Sequence, residues 1–464
     1  MTSNRFAFAA LLLASAAVLG PRPASGQTLQ EAMALAYANN PSLQAARAQL
    51  RAVDENVPQA LAGWRPTVQL SGSAGQNRAG GSSNNIRIPE RARDTTQLQA
   101  SVVQPLYRGG RTVAQTRRAE NQVLSQRARL YAAEQQVLLD VVNAYVAMIR
   151  DQEEVRLNTN NEQVLLRQLQ ATNERFRVGE ITRTDVAQAE SRLAGARASR
   201  AEAEGRLQTS RATFTRLVGQ APLRLTPPQP LRPPVPSARE AAVLAAQNNP
   251  NVVAALFDEA AARDFIDVQF ASLLPQISVN GSVFRNDNQQ TANSRSEGSA
   301  VTANVVVPLF QGGAEHSAVR QARQQAQQAR NVVEDQRRDA AQQATQAYET
   351  LISTRATVDS VRSQIRAAEI ALDGVQREAV VGSRTTLDVL NAEQELLNAR
   401  VSLVRALAAV ITASHNLAAA LGRLTARDLN LPVPIYNVEA YYNAVRNRWV
   451  GFGDYTEDAA VQGR

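Results

Sequence analysis

Few residues in this 464-residue chain are equipped for covalent chemistry. It has no Cys and no Lys, so all 50 basic residues are Arg. Thiol nucleophiles, disulfides, Cys-ligated metals, an acylated Cys anchor, Schiff bases and a phosphate-loop lysine are thereby excluded. The two histidines, His316 and His415, lie in helical stretches without partners at ligand spacing. No metal centre, cofactor or His-based triad is expected, and no enzyme. What remains is a pair of carboxylates in a repeated setting. Thr182-Arg183-Thr184-Asp185 and Thr385-Thr386-Leu387-Asp388 each follow a Val-Gly pair, Val178-Gly179 and Val381-Gly382. Thr-x-x-Asp is capping-box spacing, in which the Thr caps a helix and the carboxylate favours its first turn. A carboxylate repeated around a narrow lumen would instead form a ring that selects cations and binds divalent ones through hard oxygens. The spacing alone leaves both readings open.

The elements that hold these turns are exported. Asn4 and Arg5 precede an apolar run over 6–19, then Pro21, Pro23 and the small residues Ala24, Ser25 and Gly26. That is the layout of a signal peptide over 1–26, with Gln27 first in the mature chain. No later segment reads as apolar for the ~20 residues of a membrane helix, although β-strands of ~10 alternating residues escape that test. The net charge of +8 comes from Arg interleaved with Asp and Glu, with no basic block or stacked aromatics, so nucleic acid is not an expected partner.

The chain repeats itself. Glu31-Ala32 through Asn39-Asn40-Pro41 recurs as Glu240-Ala241 through Asn248-Asn249-Pro250, and Pro105-Leu106-Tyr107-Arg108-Gly109-Gly110 as Pro308-Leu309-Phe310-Gln311-Gly312-Gly313. Two equivalent halves follow, 27–221 and 237–424, joined by a Pro-rich linker over 222–236 and followed by a C-terminal segment over 425–464. Each half carries a strand pair of period two, expected over 66–76 and 96–106, then 275–285 and 299–309. Val68, Leu70, Leu98, Ala100 and Val102 fall on one face, with Gln, Ser and Thr on the other. The connections, about 76–95 and 285–299, read as solvated loops.

After each Gly-Gly comes a Pro-free helical stretch, 111–177 and 314–380, about 100 Å long if continuous. Return helices follow over 182–218 and 385–421, and shorter helices over 42–62 and 251–272 precede the strands. The second return helix has a large/small heptad seam, Val389, Leu396, Leu403, Val410 and Leu417 with Ala three residues on, as in a coiled coil. The first shares the register, interrupted by Arg200. Four strands cannot close a membrane barrel, whose smallest common form has about eight, so the chain must associate if its strands span a membrane. Rods joined to a membrane barrel read as a conduit across the periplasm. An exported coiled-coil adhesin or scaffold would explain the rods but not the paired strands.

The Asn-Asn-Pro helix, the Pro-Leu-aromatic-x-Gly-Gly junction, the two-half layout and the segment from Val381 to Ala392 resemble the TolC family of outer-membrane efflux proteins, especially its type I secretion group. The resemblance covers about 28–431. It implies a homotrimer in the outer membrane of a Gram-negative bacterium, embedded in outer-membrane lipid. One 12-stranded β-barrel would continue into a periplasmic α-helical barrel with an equatorial belt. It implies an exit duct for protein secretion or drug efflux, working with a periplasmic adaptor (membrane fusion) protein and an inner-membrane ABC or RND transporter. By the same resemblance Val178, Gly179, Val381 and Gly382 contact the adaptor. Arg384 faces Thr184 and Asp185 in an entrance latch, and Asp388 lies at the pore constriction. The family's second constricting Asp is Asn391 in this chain, and its latching Tyr is Ala379.

Overall fold

The computed structural model describes residues 26–83, 86–289 and 293–453. Residues 1–25 of the expected signal peptide, and the tail from 454, lie outside the described residues. The first half runs α1 (Leu29–Asn39), α2 (Pro41–Asp54), α3 (Asn56–Leu61), β1 (Thr67–Ser83), β2 (Ile86–Arg108), α4 (Arg111–Arg177) and α5 (Arg183–Val218). The second runs α6 (Ala238–Asn248), α7 (Pro250–Phe270), β3 (Gln276–Asp287), β4 (Arg295–Val306), α8 (Ala314–Val380) and α9 (Thr386–Ala420), with α10 (Ala440–Val445) beyond it.

The repeated Asn-Asn-Pro has a local cause. Asn40 caps α2, accepting from the Ser42 N–H (2.9 Å), and Pro41 fills the first helical position, where a missing N–H costs nothing. Its Nδ2 donates to the Leu217 carbonyl (3.0 Å), one of the orphan carbonyls at the end of α5. Asn249 does the same for α7 and α9, accepting from the Asn251 N–H and donating to the Ala420 carbonyl (3.2 Å). One side chain thus stitches the start of a short helix to the end of the long return helix in each half.

The four strands form one antiparallel sheet in the order β1-β2-β3-β4. Its register sets Val68 opposite Val102, Leu70 opposite Ala100, Ala100 opposite Val283, Gly281 opposite Val301 and Ile277 opposite Val305. The alternation read from each strand therefore merges into one continuous apolar face. That face is bare: Val68 is 75% and Val301 81% exposed. Among the described residues β1 and β4 have no strand on their outer sides. Trp64, Tyr107 and Phe310 are exposed where the sheet meets the helices, the position of an aromatic girdle.

Of the connection read as a loop over 76–95, residues 76–83 and 86–95 are instead strand. Pairing continues from Gln76↔Asp94 out to Ser83↔Ile86, with an irregularity between Ala79 and Gly81. A hydrogen-bond ladder satisfies the backbone whatever the side chains, so polar residues extend the hairpin beyond the ~10 that a membrane strand needs. In the second hairpin β3 likewise reaches Asp287, and β4 starts at Arg295.

Both long helices are unbroken at 67 residues. Helix α5 returns along α4, and α9 along α8, where Ala340, Ala344, Leu351 and Val358 meet Ala406, Val410, Ala413 and Leu417. Arg200, which interrupts the α5 seam, crosses to Glu162 of α4 (2.8 Å) and also pairs with Glu204. The statement that no later segment is apolar enough to span a membrane needs correction. Helix α9 contains an 18-residue window of mean hydropathy 1.5, only 28% of it buried within the chain. Its small and aliphatic residues serve a packing seam, and the part left open is surface without a partner in a single copy.

The main core lies at mid-molecule, where α1, α2, α4 and the end of α5 enclose Met33, Leu50, Leu138, Tyr145 and Phe214. Tyr145 is fully buried, its one hydroxyl proton shared between the carbonyls of Gln27 and Thr226 (both 2.7 Å) while its oxygen accepts from the Thr226 N–H (3.1 Å), pinning the Pro-rich linker to the N-terminal segment. Burial pushes its hydroxyl up to about 12. The C-terminal segment wraps the same region: Arg47 stacks between Tyr37 and Tyr436, Tyr441 donates to Glu55, and Arg65 stacks on Trp449.

Candidate functional site

The two helix tips are built alike because each obeys the same stop and start rules. Helix α4 ends with the Glu180 N–H on the Arg175 carbonyl (3.0 Å), and α8 with the Ser383 N–H on the Glu378 carbonyl (3.0 Å). These are the six-to-one bonds of a Schellman stop, which requires a left-handed residue at the turn. Gly179 (φ 83°) and Gly382 (φ 80°) supply it. The preceding Val178 and Val381 cannot fold inward and stand 73% and 78% exposed. The chain restarts three residues later. Thr182 and Thr385 each accept from the Asp N–H three residues on, and the Asp side chain answers to the Thr N–H at 2.9 Å.

Asp185 and Asp388 are therefore both capping-box members. The Thr182 hydroxyl and N–H hold the Asp185 carboxyl below its usual range, and the Thr385 N–H and hydroxyl do so for Asp388. Arg384 donates to Glu378 of its own hairpin (2.9 Å), which raises its pKa further. Within one chain it is not bonded to Thr184 or Asp185. Thr184 is exposed on the first turn of α5. Ala379 contributes its carbonyl to the Gly382 N–H.

Asn391, one turn above Asp388, is engaged differently: its Oδ1 accepts from Arg192 of α5 (2.7 Å). Beside it Leu390 is buried among Leu165 of α4 and Leu193 and Ala196 of α5. Higher up, Glu154 of α4, 2% exposed, receives Arg206 of α5 (2.9 Å) and Arg405 of α9 (2.7 and 3.2 Å). Burial works against its charge, yet Arg405 and then Arg206 outweigh it and hold the carboxyl low. Neither Arg192 nor Glu154 stands out in the sequence, because each partner lies far away in the chain. The signal available was a charge set in an otherwise apolar seam, as at Arg200. Among the described residues no group of acidic or His side chains could hold a metal ion. His415 is packed, with Nδ1 2.8 Å from the Ile411 carbonyl, and His316 is exposed.

Comparison with known proteins agrees with this architecture. The family described as outer membrane efflux protein matches residues 32–220 and again 241–423. The chain is 35% identical over 449 residues to the outer membrane efflux protein BepC of Brucella suis, covering 96% of each. It is 27% identical to the alkaline protease secretion protein AprF of Pseudomonas aeruginosa, over 86% of this chain and 85% of that one. Its fold matches the CmeC outer membrane channel of Campylobacter jejuni with a TM-score of 0.76 at 15% identity, over 86% of both chains.

Proposed function

Because the chain belongs to the outer membrane efflux protein family, we propose that three copies of it close a single duct from the periplasm through the outer membrane. The chain is an outer-membrane protein of a Gram-negative bacterium, and its part in transport is the exit channel. The observation that carries the trimer is the open sheet. Unpaired strand edges in hydrocarbon cost several kcal/mol for each unsatisfied group, so only closed barrels persist there. Strand β4 of one copy must pair with β1 of the next. Two copies would give eight strands, whose interior is filled by side chains; three give twelve, enough to leave a lumen. The bare apolar face then meets lipid, and the rods enclose the periplasmic tube.

In this assembly the exposed Val178-Gly179 and Val381-Gly382 tips meet a periplasmic adaptor, which joins the duct to an inner-membrane ABC or RND transporter. Asp388 from three copies forms the constriction, with Asn391 above it. Arg384 can exchange Glu378 for Thr184 and Asp185 when a neighbouring copy approaches. Relatives named for protease secretion and for efflux share this chain's build, which supports a duct indifferent to cargo, the choice lying with the inner-membrane partner. A strain lacking the chain is expected to lose a secreted protein, drug resistance or both. A strain unimpaired in either, with no second family member to substitute, would contradict the role. An adhesin has no use for a sheet with a bare apolar face and two open edges.

A further inference from the structure

The C-terminal segment leaves the mid-molecule core and climbs towards the sheet. It starts at Tyr436, beside Tyr37 and Arg47, on the face of the first half that α1 also covers. Along the chain its partners then move up α4: Glu439 accepts from Arg127 (3.2 Å), Tyr442 packs on the cluster of Val57, Ala119 and Val123, and Arg446 donates to Glu120 (2.8 Å). The climb ends at Arg65, two residues before β1 begins. Arg65 donates to the Arg448 carbonyl (2.8 Å), and its guanidinium lies 4.9 Å from the centre of the Trp449 ring.

Beyond Trp449 the backbone turns around one side chain. Arg448 donates through Nε to the Val450 carbonyl (3.2 Å) and through Nη1 to that of Gly453 (3.0 Å). Gly451 stands at φ 109°, and a Cβ on it would come within 2.7 Å of Arg448 Nη2. Only glycine permits so close a wrap. With these carbonyls drawn onto Arg448, the side chains of Trp449, Val450 and Phe452 stand 66%, 85% and 105% exposed. Large apolar side chains displayed together mark a surface with a partner.

Their place identifies the partner. Arg65 adjoins Trp64, one of the exposed aromatics at the foot of the sheet, and the bare apolar face begins at Val68. In the duct that foot lies at the periplasmic surface of the membrane. Each copy supplies four helices at any height, α2 being stacked on α5 and α7 on α9 beside α4 and α8. Helices about 8–10 Å apart then close a three-copy tube of axis radius below about 20 Å, which leaves under about 15 Å inside. A further layer from every copy, about 10 Å thick, would block it. The face that α1 and the C-terminal segment cover is therefore the outer one.

We propose that Trp449, Val450 and Phe452 enter the periplasmic leaflet of the outer membrane and give each copy a second hold on the bilayer beside its strands. Aromatic side chains favour the boundary between headgroups and acyl chains. Arg65 and Arg448 are positioning residues, which hold the loop and do not themselves enter. The inference rests on the duct reading.

The test is tryptophan quenching in the full-length protein, reconstituted into vesicles of phosphatidylethanolamine and phosphatidylglycerol. The chain has two Trp, so Trp64→Phe leaves Trp449 as the sole reporter. Its emission is expected to fall about twofold when the lipids are brominated high on their acyl chains, and less when bromine lies near the bilayer centre. Aqueous acrylamide should have little effect. Val450→Ser with Phe452→Ser, in the same background, should weaken the lipid quenching severalfold at unchanged single-channel conductance. Trp449 quenched by acrylamide and not by brominated lipid, quenched by neither because another copy covers it, or quenched equally with and without the Ser pair would overturn the anchor. Val68→Trp, in a chain with Trp64→Phe and Trp449→Phe, reports on the sheet itself. Lipid quenching absent there would instead overturn the membrane sheet and the duct built on it.

Discussion

Asp185 and Asp388 occupy the same local structure and are proposed to do different work. Both complete a capping box, so Asp185→Ala and Asp388→Ala should each weaken the start of their helix. Only Asp388→Ala is expected to lower cation selectivity, read as the reversal potential across a KCl gradient. An equal shift in both variants, or none in Asp388→Ala, would remove the ring. A second carboxylate marks a different condition. Asp54, fully buried at the end of α2, has no hydrogen-bond partner on either oxygen. Burial raises its pKa from 3.8 to about 7, with Arg127 and Arg51 pulling down and Glu55 pushing up. The folded state therefore keeps a proton that the unfolded chain has already released. Its contribution to stability is fully present below about pH 4, is lost as pH rises towards 7, and changes no further above. Thermal unfolding at several pH values should show the wild type losing stability relative to Asp54→Asn between about pH 4 and 7; identical pH profiles would contradict it.

At the scale of elements, the long helices announce themselves, because Gly-Gly, Val-Gly and Thr-x-x-Asp are start and stop signals and no Pro lies between. The strands were less legible. Apolar alternation is sustained only in the part that faces lipid; beyond Gln76 it thins to Ile86 and Ile88 although the backbone pairing continues. The apolar window of α9 was missed for the opposite reason. Ala, Val and Leu spaced along a seam look like packing, and the window becomes visible only as an average. Pairings between distant helices left no local trace: Arg192 and Asn391 lie 199 residues apart, Glu154 and Arg405 251. Glu154→Gln removes the charge that holds two Arg side chains. It is expected to lower stability by about 1–3 kcal/mol, seen as a lower melting temperature, while Arg197→Gln, whose 3.3 Å contact with Glu162 is well exposed, should leave it almost unchanged. Equal losses would mean that Glu154 is not a node.

The composition makes sense for the molecule as a whole. A chain with 5% aromatic residues and abundant Ala, Gln and Arg is poorly supplied for a globular core, but suited to helices packed side by side around water. With no thiol for acylation, the sheet and the belt must hold it in the outer membrane. The absence of Lys has no structural explanation. Everything proposed for the pore depends on copies completing one another: the open edges of β1 and β4, the uncovered part of α9, and Asp388 acting as a ring. The most direct measurement is the native mass of the protein extracted from outer membranes in mild detergent, compared with the same sample after boiling. The account predicts a three-chain species that collapses to one chain on heating. A single-chain mass before heating, from membranes in which the protein conducts ions, would contradict it.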